Sequence, residues 1–288
     1  YSAAMQTGDR DVAYRAINEE ASLARSQGDY ARAAQYASQV VNAPEQINSK
    51  TRAFALMELA KSQGFLEGMH LGSQLATQAV EAMEDARTTI SAFEQAQLLR
   101  SLALICWWHG DVNAAIRHGQ EALRRVPNRQ SPLAAEIMMV LAAPNLYRHD
   151  YAAALDYAEQ ALGIVQQLEV KELLPNAFAN LGNILTRLGK LDDAEHALRH
   201  AIELATALGA EHYAQIMAAG YLAHNLFIQG RGQDAIQVAE TALWSQEGLP
   251  TVYEVYVCRS VLADSYLSEG QMLQAERIFT ELIEIGEK

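Results

Sequence analysis

The chain has 288 residues, half of them hydrophobic, only six of them proline, and a formal net charge of −13. That length and apolar content are enough for a continuous core, which excludes a disordered chain, and the abundance of Ala, Leu, Glu and Gln favours helices because these side chains lose little freedom there. The negative charge repels polyphosphates, so direct nucleic-acid binding is not expected, and without a run of about 20 apolar residues neither is a membrane span.

The predicted elements are helix pairs marked by a recurring turn. Along the chain the turns read Gly28-Asp29-Tyr30, Gly110-Asp111-Val112, His149-Asp150-Tyr151, Gly189-Lys190-Leu191, Gly230-Arg231-Gly232 and Gly270-Gln271-Met272. From Gly110 onward the anchors stand 39, 40, 41 and 40 residues apart, and the 82-residue gap after Gly28 holds one more unit. Seven units result, at about 10–43, 51–88, 94–127, 132–168, 174–209, 212–247 and 252–288, within one domain spanning 1–288.

Seven residues before each anchor stands a small residue: Ala21, Ala60, Ala103, Ala142, Gly182, Ala223 and Ala263. Five after it stands another: Ala33, Gly72, Ala115, Ala154, Ala194, Ala235 and Ala275. Further positions follow at Ala37, Ala76, Gly119, Ala158, Leu198, Ala239 and Phe279, then at Val40, Ala79, Ala122, Ala161, Ala201, Ala242 and Leu282. Spacing of i, i+4, i+7 defines one buried helical face, and small side chains there let two helices approach closely. Segments between units, at Asn42-Ala43-Pro44, Val126-Pro127-Asn128 through Pro132, Glu172 to Pro175 and Gly248-Leu249-Pro250, absorb the excess of a long repeat. Pro144 falls inside a first helix, where a kink is expected.

The small, Gly-turn, small pattern resembles tetratricopeptide repeats, best seen from Asn180-Leu181-Gly182 through Gly189 to Ala194, and the resemblance covers nearly the whole chain. Most units lack the family's first-helix Trp and its terminal Pro. The resemblance implies an all-α, right-handed superhelical solenoid with first helices on the concave side and second helices on the convex side. Units near 40 residues are similar to those in sensor regions of bacterial transcription and signalling regulators, and to kinesin light chain.

By that register the concave wall carries Arg100, Leu104, Trp107 and Trp108, then Met139, Ala143, Leu146 and Tyr147, then Asn180, Asn183 and Arg187, then Tyr221, His224 and Phe227, and finally Tyr256 and Asp264. Asn180, Asn183 and Arg187 form a polar stripe suited to peptide backbone, sugar hydroxyls or a carboxylate. The alternative is that these amides follow the repeat consensus and satisfy one another. Trp107, Tyr147, Tyr221 and Phe227 can stack on a ligand or pack helix to helix, and Trp108 is expected in the core rather than the groove. The ligand-binding set is therefore Arg100, Trp107, Met139, Tyr147, Asn180, Asn183, Arg187, Tyr221, His224 and Phe227.

No phosphate-cradling loop, nucleophile elbow or His-Glu-x-x-His motif is present, so neither catalysis nor a cofactor is expected. His196, His200 and Glu203 share a helix face, but the register puts them on the solvated side and no metal site is expected. Cys106 and Cys258 lie far apart in apolar helical patterns, which fits free thiols and a cytoplasmic protein. The resemblance implies a ligand-sensing or protein-docking domain of a bacterial regulator that takes a protein, peptide or small-molecule effector in its groove. The alternative is a peptide-binding scaffold or co-chaperone-like adaptor. A start at Tyr1 without Met suggests a fragment of a larger protein, and the apolar last helix, with Ile278, Leu282, Ile283 and Ile285, suggests further repeats or a homo-oligomer.

Overall fold

The computed structural model describes residues 10–43, 47–86, 89–208, 212–244 and 253–286, which leaves Pro44 and Gly248-Leu249-Pro250 of the predicted connecting segments outside the described residues. Among the described residues the chain is all-α. It forms two compact units, Tyr1–Arg129 and Gln130–Lys288. The first holds α1 (Arg10–Ser26), α2 (Tyr30–Val41), α3 (Ser49–Glu67), α4 (Met69–Asp85), α5 (Ala92–Trp108) and α6 (Val112–Arg125). The second holds α7 (Pro132–Tyr147), α8 (Tyr151–Gln167), α9 (Leu174–Arg187), α10 (Leu191–Ala207), α11 (His212–Ile228), α12 (Gly232–Trp244), α13 (Tyr253–Ser268) and α14 (Met272–Gly286).

The recurring turn closes one helix and opens the next. Gly28, Gly110, His149, Gly189, Gly230 and Gly270 all adopt positive φ between 61° and 87°. The following amide then reaches back to the carbonyl five residues earlier, as in Asp111 N to Cys106 O and Asp150 N to Asn145 O, both at 2.9 Å. This closure satisfies an orphan carbonyl at the helix end. The same Asp caps the next helix: Asp29, Asp111 and Asp150 accept from the amides of Arg32, Ala114 and Ala153 at 3.0, 2.9 and 3.1 Å. The second repeat differs, because α3 and α4 are separated by Gly68 alone, at φ 113°.

Packing follows the small residues. Within each unit a first helix touches its own second helix, the next first helix, and so on down the stack, as in α1 with α2 and α3, or α9 with α10 and α11. All fourteen small positions that flank the anchors are buried. The tightest approaches use glycine: a Cβ on Gly72 would lie 2.9 Å from the Ala60 carbonyl oxygen and 3.0 Å from the Gly64 Cα. At Gly182 a Cβ would meet Leu198 Cγ at 2.5 Å. Leu198 is fully buried where most units have Ala or Gly, so a larger side chain on the second helix is matched by a smaller one on the first.

Helix α7 runs on through Pro144, which is buried. Proline removes the donor to residue 140 and crowds that turn. One residue on, the buried Asn145 side chain donates to Leu141 O at 2.7 Å, which gives its amide a partner within the same helix.

Candidate functional site

Because each first helix contacts the next, the first helices form one continuous row in each unit, and the residues expected from the sequence to face a groove lie on it. In the unit Gln130–Lys288 the row is held by a polar network. Thr186 donates to Gly182 O at 2.9 Å and accepts from the buried Asn225 amide at 3.0 Å. Asn225 also donates to Leu191 O and accepts from Gln229, which together with Arg231 reaches Glu195 Oε2 at 3.0 and 2.9 Å. Burial works to raise the Glu195 carboxyl, but bonds from Arg199, Gln229 and Arg231 outweigh it and hold it at about 2. These bonds join α9, α10, α11 and the turn that leads into α12, so the side chains along α9 and α11 sit on a fixed base.

On that base Asn180 is half-buried and donates its amide to Asn176 O at 2.9 Å, an i to i−4 bond that ties it to its own helix. Asn183 is half-buried with no side-chain hydrogen bond among the described residues, and Arg187, one turn on, is exposed with no ion pair among them. The Asn176 Oδ1 on the same helix is a buried acceptor without a partner among the described residues. His224, from α11, lies within reach of the Arg187 charge: burial first, and that charge second, lower its imidazole to about 4. The imidazole is neutral near pH 7.

The remaining predicted residues divide between wall and core. Met139 is buried, and Tyr221 and Phe227 are half-buried against the core of α10 to α14, so much of their surface serves packing. Tyr147 is 69% exposed. In the unit Tyr1–Arg129, Trp107 and Arg100 are half-buried on α5. Trp108, expected in the core, is half-buried in an aromatic ladder, with its ring 5.0 Å from Phe65 and Phe65 4.8 Å from Tyr30.

That first unit also contains a cluster the sequence reading passed over. Glu58 on α3 accepts from Arg25 Nε of α1 at 2.8 Å and from Lys61 Nζ at 2.7 Å. Burial works to raise the Glu58 carboxyl, yet the charges and hydrogen bonds of Lys61 and Arg25 hold it at about 2. Burial lowers Lys61, and the positive charges of Arg25 and Arg100 act on it in the same direction. The available signal was Glu58 and Lys61 three apart, flanking the small residue Ala60 on a first helix.

Elsewhere the reactive candidates are accounted for structurally. Cys106 and Cys258 are buried free thiols, pushed up to about 11 and about 12 chiefly by burial. His200 packs edge-on to Phe178 with centroids 4.8 Å apart, and its Nδ1 is 3.5 Å from Glu203. Among the described residues no three His, Cys, Asp or Glu side chains are grouped to hold a metal, and no helix is long and apolar enough to cross a membrane.

Paired helices stacked through small residues, with polar side chains along the first-helix row, define a helical-repeat scaffold. A family model described as tetratricopeptide repeat matches residues 94–167 and 173–248, together just over half of the chain, and the chain belongs to this family. Among solved structures it is similar to a Rap protein complexed with competence and sporulation factor, at TM-score 0.68 and 16% identity over 95% of this chain and 76% of that one. It is also similar to aspartyl phosphate phosphatase F from Bacillus subtilis, at TM-score 0.63 and 14% identity over 99% and 74%. A third is a signal-transduction ATPase with a tetratricopeptide repeat sensor from Pyrococcus horikoshii, at TM-score 0.60 and 12% identity over 97% of this chain and 42% of that one. No curated protein matches at a significant level.

Proposed function

We infer that the chain is a docking domain of a regulator, binding a peptide or protein segment, or a small effector, along its first-helix row, without catalysing a reaction. The observation that carries this is the Asn183, Arg187 and His224 face of the unit Gln130–Lys288. There a side-chain amide, a cation with no ion pair and a neutral imidazole stand together on a base fixed by the Glu195 network. An amide offers both donor and acceptor to a peptide backbone, and a guanidinium pairs with a carboxylate in a planar fork.

Two of the structural relatives favour the regulatory form of this reading, since one is a Rap protein complexed with competence and sporulation factor and another carries its repeats as a sensor. A ligand that touches several repeats would favour one curvature of the stack, and that preference would pass to an attached output domain as a shift in populations. The adaptor alternative uses the same face without the output.

The test is a double alanine variant, Asn183→Ala with Arg187→Ala. Losing one charge-assisted and one neutral hydrogen bond should weaken binding of a captured ligand by roughly tenfold or more at an unchanged melting temperature. Unaltered affinity, read by calorimetry on the folded variant, removes this face as the site. A thermal shift with small metabolites favours sensing, and recovery of a peptide tail alone favours the adaptor.

A further inference from the structure

Stacking brings the third residue after a turn anchor, on a second helix, against the residue just before the anchor of the next repeat. In the unit Gln130–Lys288 such a pair is Gln233 and Glu269, where the Gln233 amide donates to the carboxylate at 2.9 Å. In the unit Tyr1–Arg129, Ala60 and Gly72 set the second anchor at Glu67, so the pair in the same register is His70 and His109. Their rings stand 5.5 Å apart, centre to centre, with a 48° angle between the planes.

Both rings stand on firm backbone. His109 closes α5, its amide donating to Ile105 O at 2.9 Å, and the neighbouring Trp108 ring is packed on Phe65 from the end of α3. His70 lies in the first turn of α4, directly after the single-residue turn at Gly68, and α4 packs against α5. Both imidazoles are exposed, and the His109 ring makes no hydrogen bond among the described residues. Gln74, one turn along α4, meets His70 Nε2 at 2.9 Å. An amide can turn its nitrogen or its oxygen to a ring. With the oxygen there it accepts the Nε2 proton, and the lone pair of His70 is left on Nδ1.

We propose that His70 and His109 form a two-histidine site for a divalent transition cation of the zinc type, with Gln74 as the residue that positions His70. A tetrahedral ion held by two imidazole nitrogens at about 2.0–2.1 Å brings the ring centres to about 5 Å, close to the separation already present. Imidazole nitrogen suits zinc, copper or nickel, whereas magnesium and calcium take oxygen. Two protein ligands leave the other positions of the ion to water, so this is an open chelate and not a closed structural centre. A histidine that binds a metal through one nitrogen is held by an acceptor on the other, which is the place Gln74 occupies. The site lies at the turn edge, wholly within one unit, and does not depend on the Asn183 and Arg187 reading.

The test is a titration of protein carrying 15N-labelled histidine with zinc chloride, and with magnesium chloride as the hard-cation control. The His70 and His109 imidazole signals should move together and saturate at one zinc per chain, with no response to magnesium. Either His70→Ala or His109→Ala alone removes one of the two bonds and should weaken zinc binding by about tenfold or more. Both side chains are exposed, so the melting temperature of each variant without zinc should match that of the parent. Gln74→Leu should weaken binding by about tenfold, as loss of an orienting acceptor does. Gln74→Glu should restore the affinity, because a carboxylate accepts the Nε2 proton more strongly, whereas a role confined to the helix surface would leave zinc affinity unmoved in both variants and overturn the part given to Gln74. Zinc shifts centred on His196 and His200, equal responses to zinc and magnesium, or a zinc affinity that survives either alanine substitution would overturn the site itself.

Discussion

The contact between Gly182 and Leu198 can be tested as a double-mutant cycle. Gly182→Ala alone gains about 1 kcal/mol of helix propensity. It also places a methyl 2.5 Å from Leu198 Cγ and 3.2 Å from Ala194 O, so the packed pair must shift. Overpacking of this kind costs about 1–3 kcal/mol, and the net expectation is a loss of up to about 2 kcal/mol. Leu198→Ala alone empties a fully buried position and should cost about 2–5 kcal/mol. Together the two changes restore the Ala and Ala pairing that Ala142 and Ala158, or Ala223 and Ala239, already use. The double variant should then be more stable than the sum of the singles by about 0.5–3 kcal/mol, the range of coupling between residues in contact. Urea unfolding followed by circular dichroism gives each value. Additivity within about 0.5 kcal/mol would mean that the two positions do not meet, and the argument that small residues set the helix spacing would fail at this site.

His149 is the one turn anchor that is not glycine, at φ 61°. A β-carbon there costs about 1 kcal/mol or more. His149→Gly should therefore raise the unfolding midpoint, unless the contact of its ring nitrogen with the Tyr151 hydroxyl at 2.9 Å is worth more than the strain, in which case the midpoint falls. His224 makes a pH prediction. Its folded pKa is depressed to about 4, by burial and then by Arg187, so the unfolded chain binds the proton more readily. This group's contribution is complete above about pH 6.5 and is lost as pH falls towards 4. A His224→Gln variant should lose less stability over that window, and Arg187→Ala should raise the His224 pKa in a direct NMR titration. An unmoved His224 pKa would show that the two side chains do not interact.

Periodicity alone disclosed the helix pairs, because a helix that must lie close against another can carry only small side chains where they cross, and that need recurs with every repeat. The turn chemistry was equally local. A left-handed residue followed by a capping Asp depends on backbone geometry within a few positions, and Gly28-Asp29, Gly110-Asp111 and His149-Asp150 announce it directly. At Gly68 the rule gave no warning, since a single residue there does the work of a turn and no Asp follows.

The side chains on the first-helix row were a different matter. Whether Met139, Tyr221 or Phe227 faces a ligand or the core depends on how far the neighbouring helix covers it, and no residue's own helix contains that information. The Arg25 and Glu58 pair joins residues 33 apart, which become neighbours only when α1 and α3 stack. Which helices exist followed from short-range sterics written in each repeat; which charges meet, and which are left over, was decided by the register between repeats, where burial and electrostatics act across distant segments.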